Sequence, residues 1–152
     1  MSLIVEPFTG KQFKLGHQDC FSLCIDFFDK NFDIKIPDIA RPNDWNPKRI
    51  DLISDFYDVS GFKKLDVEAN WPPRPADVLV TTVGGSIPNH LVIYLGSNEI
   101  LHHKTGAISN KEILRPVWKR FTSFILRHPD VPDLTPEKPE IKLEEFLSER
   151  FL

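Results

Sequence analysis

Two stretches carry residues suited to nucleophilic chemistry. In Gly16-His17-Gln18-Asp19-Cys20-Phe21-Ser22-Leu23 a cysteine stands where an apolar helical pattern begins, behind an aspartate placed to cap it. The first turn of a helix presents unpaired N–H groups and the positive end of the macrodipole, so a thiol there is expected to lean toward thiolate. Such a thiolate needs an imidazole, which can come from far along the chain. The candidate is His90 in Asn89-His90-Leu91-Val92-Ile93-Tyr94-Leu95-Gly96, with a second imidazole at His102 or His103. Cys20, His90 and His102 are therefore the expected catalytic set.

Positioning these residues requires a helix for the cysteine and a sheet for the histidines. From Asp19 to Phe32 the apolar residues Phe21, Leu23, Cys24, Phe27, Phe28 and Phe32 follow the 3.6-residue repeat, predicting a mostly buried central helix. A second helix is predicted from about Asn46-Pro47 through Ile50, Ile53 and Tyr57, ending at Gly61. Asn70-Trp71-Pro72-Pro73-Arg74-Pro75 fits neither helix nor central strand, because proline removes donors and fixes φ. Beyond it the pattern changes to β: Val78 to Val83, Leu91 to Leu95, Glu99 to His103, and Thr122 to Arg127, with Gly96-Ser97-Asn98 as a hairpin turn. Lys111 to Phe121 reads as a loop or short helix. The result is an α+β arrangement, N-terminal helices on an antiparallel sheet.

Composition narrows the alternatives. With 152 residues, the chain is long enough for one core. A net charge of −3 with scattered basic residues argues against nucleic-acid binding. No apolar run approaches the roughly eighteen residues of a membrane span, and the N-terminus does not read as a signal peptide. The two cysteines, Cys20 and Cys24, lie one helical turn apart, where an unstrained disulfide is not expected. No Cys-x-x-Cys or His-Glu-x-x-His spacing calls for zinc; His102-His103 beside His90 is the one weak metal candidate, and neither metal nor cofactor is expected. Residues 1–129 are taken as one domain. Residues 130–152 are read as a proline-rich linker and a short amphipathic helix from about Glu140 to Phe151.

Four segments in order carry a family resemblance: Asp19-Cys20-Phe21-Ser22-Leu23, Ala76-Asp77-Val78-Leu79-Val80, His90 to Gly96, and Ile100-Leu101-His102. Together they resemble the NlpC-type cysteine peptidases, papain-like enzymes that typically cleave the peptide stems of bacterial cell walls. Phe21, the His102-His103 doublet, Trp118 and Arg127-His128 resemble the branch of that family found in phage tail tips. The resemblance implies Cys20 as nucleophile, His90 as general acid and base, and His102 as the residue that orients His90. It also implies a stem peptide as substrate, other tail-tip proteins as partners, and a place in the virion after synthesis in the host cytoplasm. The chain departs from the family at Pro75-Ala76-Asp77, where Pro-Gly-Asp is usual, and at Phe8, where a tyrosine often assists the oxyanion.

The remaining candidates have plainer readings. Cys24 is expected to fill the core. By strand alternation His103 should face away from His102 and lie exposed or at a rim. His17 reads as a loop residue and His128 as making only local hydrogen bonds. Trp45, Trp71 and Trp118 either frame a groove or pin loops. Two other functions stand beside the peptidase: a structural tail-tip component that binds without catalysis, and an amide hydrolase or transferase, which a narrow apolar pocket would favour.

Overall fold

The computed structural model describes residues 2–42 and 51–134. Its first helix, α1 (Cys20–Phe32), starts because the Asp19 carboxylate accepts the Ser22 N–H, and it ends at Asp33, whose φ of 54° closes the helix. Phe21, Leu23, Cys24, Phe27 and Phe28 are buried along it. Each such phenylalanine contributes about 1.5–3 kcal/mol of burial. The second helix, α2 (Leu52–Ser60), is capped by Asp51, which accepts the Ser54 N–H, and stops at Gly61. Gly61 has φ +80° and a Cβ there would come within 3.3 Å of the His128 ring, so glycine suits this helix end twice over. The earlier start predicted near Asn46-Pro47, Trp45, and the C-terminal helix of residues 140–151 fall outside the described residues.

Six strands form one antiparallel sheet: β1 (Lys63–Leu65), β2 (Val78–Thr81), β3 (His90–Gly96), β4 (Glu99–His102), β5 (Asn110–Ile113) and β6 (Thr122–Arg127). Their order across the sheet is β1-β6-β2-β3-β4-β5, with a short helix α3 (Val117–Phe121) leading into β6. Two strands correct the sequence reading. β5 lies where a loop or short helix was expected, and β1 was not foreseen. Both sit at sheet edges and carry charged residues, so neither has the apolar alternation that announces a strand.

The strand period of two sorts side chains between two cores. Val78, Val80, Leu91, Ile93, Leu101 and Leu126 join the helices α1 and α2. Their neighbours Leu79, Val92, Tyr94, Ile100 and Ile125 join Trp118 of α3 on the opposite face. A sheet covered on both faces gives nearly continuous buried strands. The architecture is α+β, with α1 packed on β3. No helix among the described residues is long and apolar enough to cross a membrane.

Candidate active site

The nucleophile end is built around Asp19. Its carboxylate accepts Gly16 N–H at 2.8 Å, Ser22 N–H and Ser22 Oγ–H at 2.9 Å each, and Arg41 Nε–H at 2.6 Å. Arg41 is wholly buried; it also donates to Asp38 and to the Ile39 carbonyl at 2.6 Å, reaches Ser22 Oγ at 3.1 Å, and lies over the Phe21 ring. A buried guanidinium of this kind is tolerable only with each face occupied. The loop before Cys20 is thus tied to the head of α1 from both sides. Sequence reasoning missed Arg41, because nothing local marks an arginine as buried when its partner lies 22 residues earlier.

Cys20 itself is 5% exposed. Burial pushes its thiol up to about 12; Asp19 adds to the rise, while the Leu91 N–H, Arg41 and the cysteine's own amide oppose it. This corrects the expected lean toward thiolate: the helix terminus is where it was predicted, but desolvation outweighs it. Cys24 is fully buried, free and likewise raised by burial, in keeping with core packing.

The imidazole end lies on the β3–β4 pair. His102 is directly opposite Val92, two residues from His90, so the two rings share one face of the sheet. His90 Nε2 and His102 Nδ1 are 3.0 Å apart, and the Trp118 indole packs edge-on against the His102 ring at 5.2 Å between centroids. On its far side His102 Nε2 hydrogen-bonds Glu112 of β5, which also pairs with Lys104 at 3.2 Å. Glu112 was missed because the strand that carries it was missed. Burial drives His90 down to about 3, helped by His102, and lowers His102 as well against the opposing pull of Glu112. Burial thus favours the uncharged form of both rings.

The structure therefore joins His90 to His102 directly, and brings Cys20 to the backbone N–H of Leu91, the residue after His90. Among the described residues no hydrogen bond joins the thiol to the imidazole. Resting geometries of this kind often tighten only when substrate is bound. His103 faces away from His102 as expected but is 3% exposed, a correction: its Nε2–H donates to the Ala107 carbonyl at 2.9 Å and its ring meets Phe13 edge-on. The cause is the N-terminal segment around Phe13, which packs over that side of the sheet. His128 accepts the Asp130 N–H at 3.1 Å and packs on Phe62. His17 lines a small crevice with Asp19 and His103. Phe8 is buried against Phe27, so its position supplies core rather than an oxyanion donor. Among the described residues no group of three His, Cys, Asp or Glu has the spacing of a metal site.

Beside His90 opens a cavity of about 550 Å³ walled by Phe13, Leu15, Val83, Trp118 and Phe121, with Asn89, Lys104 and Thr105 contributing polar groups. Its walls include His90 and not Cys20, so it extends from the imidazole side of the site.

A cysteine at the head of a helix, packed on an antiparallel sheet that carries two hydrogen-bonded imidazoles on adjoining strands, is the arrangement of the papain-like class. Residues 9–127 match the model of the NlpC/P60 family, and the chain belongs to that family. Two relatives align over much of the same chain. Tail tip assembly protein K of Escherichia phage lambda is 34% identical over 124 residues, covering 82% of this chain and 60% of that protein. Tail tip assembly protein K of Escherichia phage N15 is 29% identical over 127 residues, covering 82% and 51% respectively. The chain thus spans little more than half the length of these relatives.

Proposed function

We propose that this chain is a phage tail-tip cysteine peptidase that hydrolyses a stem-peptide bond of bacterial peptidoglycan, with Cys20 as nucleophile, His90 as proton carrier and His102 as its orienting partner. The observation that carries the reading is the 3.0 Å contact of His90 Nε2 with His102 Nδ1 beside the strand position that receives Cys20. With Nε2 committed, His90 Nδ1 is the nitrogen left to exchange a proton with the thiol. In the resting state thiol and imidazole are both neutral. Proton transfer from Sγ to Nδ1 accompanies attack on the carbonyl carbon, and the imidazolium then protonates the leaving amine. The amide of Cys20, already beside the sulfur, suits the developing oxyanion. Water activated by His90 completes deacylation.

The relatives' names place them in tail-tip assembly, and we extend that setting to this chain: made in the host cytoplasm, joined to other tail-tip proteins, and used in assembly or in opening the wall locally. A second reading, an amide hydrolase or transferase acting on apolar substrates, is favoured by the apolar walls of the cavity beside His90.

Digestion of purified peptidoglycan and its muropeptides by the wild type and Cys20→Ala, followed by mass spectrometry, tests the proposal. New stem-peptide fragments made only by the wild type are expected. Absence of cleavage, with Cys20 also inert to iodoacetamide, would remove the catalytic reading.

A further inference from the structure

We infer that Glu112 is a fourth, positioning member of the site: its carboxylate fixes the tautomer of His102 and, through it, that of His90, leaving His90 Nδ1 as the bare nitrogen. The inference rests on the proposed Cys20–His90 chemistry for its consequence in catalysis, but its structural content does not depend on any substrate.

The hydrogens along the line are fixed from its Glu112 end. Glu112 has only acceptor oxygens when ionised, so the ring nitrogen facing it, His102 Nε2, must carry the proton. A neutral imidazole holds one proton, which leaves His102 Nδ1 bare. That bare nitrogen faces His90 Nε2 at 3.0 Å and needs a donor, so His90 carries its proton on Nε2 and presents a bare Nδ1. The reverse assignment would set the bare His102 Nε2 against a carboxylate, two acceptors face to face. One carboxylate at the end of the line therefore orders both rings, and the second ring is left as a base.

The surroundings keep Glu112 in the form this requires. Burial opposes ionisation, but His102 and Lys104 together hold its carboxyl below the usual range. The charged and titratable groups around the line are His90 from β3, Glu112 from β5, and His103 and Lys104 after β4; α3 contributes the uncharged Trp118. Lys104 is about half exposed and touches Glu112 alone among the line's members, so it supports the carboxylate without competing for His102. β5 is an edge strand and the Glu112 side chain is 22% exposed, so it can be replaced without opening the core.

When Cys20 gives its proton to His90 Nδ1, the Nε2–H of the new imidazolium stays on His102, and Glu112 stabilises the added charge through the intervening ring. Removing the carboxylate should lower the basicity of His90 as well as loosen its tautomer. The experiment is two-bond ¹H–¹⁵N correlation of the ring nitrogens in wild type, Glu112→Ala and Glu112→Gln at pH 7.5, beside the pH profile of muropeptide cleavage.

Wild type should show protonated Nε2 and bare Nδ1 on both His90 and His102. Glu112→Ala should give mixed tautomers on His102, kcat/KM lower by about tenfold to a hundredfold, and an acid limb moved to lower pH. Glu112→Gln keeps an acceptor oxygen but not the charge, so it should restore the ring pattern while the acid limb stays at the lower pH. A protonated Nδ1 on His102 in the wild type, or ring spectra unchanged in Glu112→Ala, would overturn the inference. Failure of the wild type to cleave any stem peptide would count against the substrate reading alone, since the ring pattern is measured without substrate.

Discussion

The two ends of the site are each organised by a carboxylate, and the two carboxylates differ in what they hold. Asp19 binds two amides, a hydroxyl and a guanidinium. None of these partners changes charge across the neutral range, so the nucleophile end is a geometric fastening. Glu112 binds an imidazole and an ammonium, and beyond the imidazole lies a second one. The imidazole end is a line along which protons are ordered. One half of the site should therefore reveal itself in stability and the other in pH dependence.

The sharpest way to break this contrast is Asp19→Ala. It removes the buried one of Arg41's two carboxylate partners, leaving only the more exposed Asp38, and strips the cap from α1. Removing one member of a buried ion pair typically costs about 3–5 kcal/mol. Urea denaturation should show a loss of that size, with the midpoint displaced equally at pH 6 and pH 8. Recovery in a double variant, Asp19→Ala with Arg41→Met, would confirm that an abandoned charge causes the loss. A loss below about 1 kcal/mol would mean that water reaches Arg41 and the fastening is not dry.

A pH series probes the other end. His90 is held neutral in the fold, down from 6.5 to about 3, and His102 is lowered too, so the unfolded chain takes up these protons more readily than the folded one. Stability is full above 6.5 and falls as pH drops from there toward 3, by on the order of a few kcal/mol. Cys20 gives the mirror image: its thiol is raised from 9.0 to about 12, so stability falls as pH rises above 9. The expected curve is a plateau from about 6.5 to 9 with both shoulders falling. His90→Ala should reduce the acid shoulder, with the part due to His102 remaining, and leave the alkaline one. An acid shoulder unchanged in that variant would show that His90 is not the buried neutral group.

The same contrast explains what the sequence disclosed. The fastening is local on its helix side: Asp19 before an apolar 3.6-residue pattern is readable as a cap, and α1 begins where that reading puts it. The pairing of His90 with His102 is also readable, because twelve residues around one hairpin bring both to the same sheet face. The residues that complete each end were not. Arg41 is buried through a contact across 22 residues, and Glu112 sits on a polar edge strand that exists because β4 pairs with it. Polar edges carry no hydrophobic period, so strands of this kind are determined by their neighbours. The state of the thiol was misread for a related reason: position in a helix is a local property, whereas desolvation depends on everything packed over it.

A third carboxylate sharpens the comparison with the smallest effect. Asp77 is paired with Arg127 through bonds of 2.9 and 2.8 Å and accepts the Arg74 N–H at 2.8 Å, a fastening like that of Asp19 but without a nucleophile beside it. The residue before it, Ala76, sits at φ +71°, in the left-handed region that favours glycine. A non-glycine residue there costs roughly 1–2 kcal/mol, and part of any gain from glycine is lost to the greater freedom of the unfolded chain. Ala76→Gly should therefore stabilise the protein by only about 0.5–1 kcal/mol. If fastening and proton line are separable, this variant raises the denaturation midpoint while the pH of both stability shoulders stays where it was. A shift of the acid shoulder in Ala76→Gly would mean that strain at the start of β2 reaches His90 through the neighbouring strand, and the two kinds of carboxylate would then not act independently.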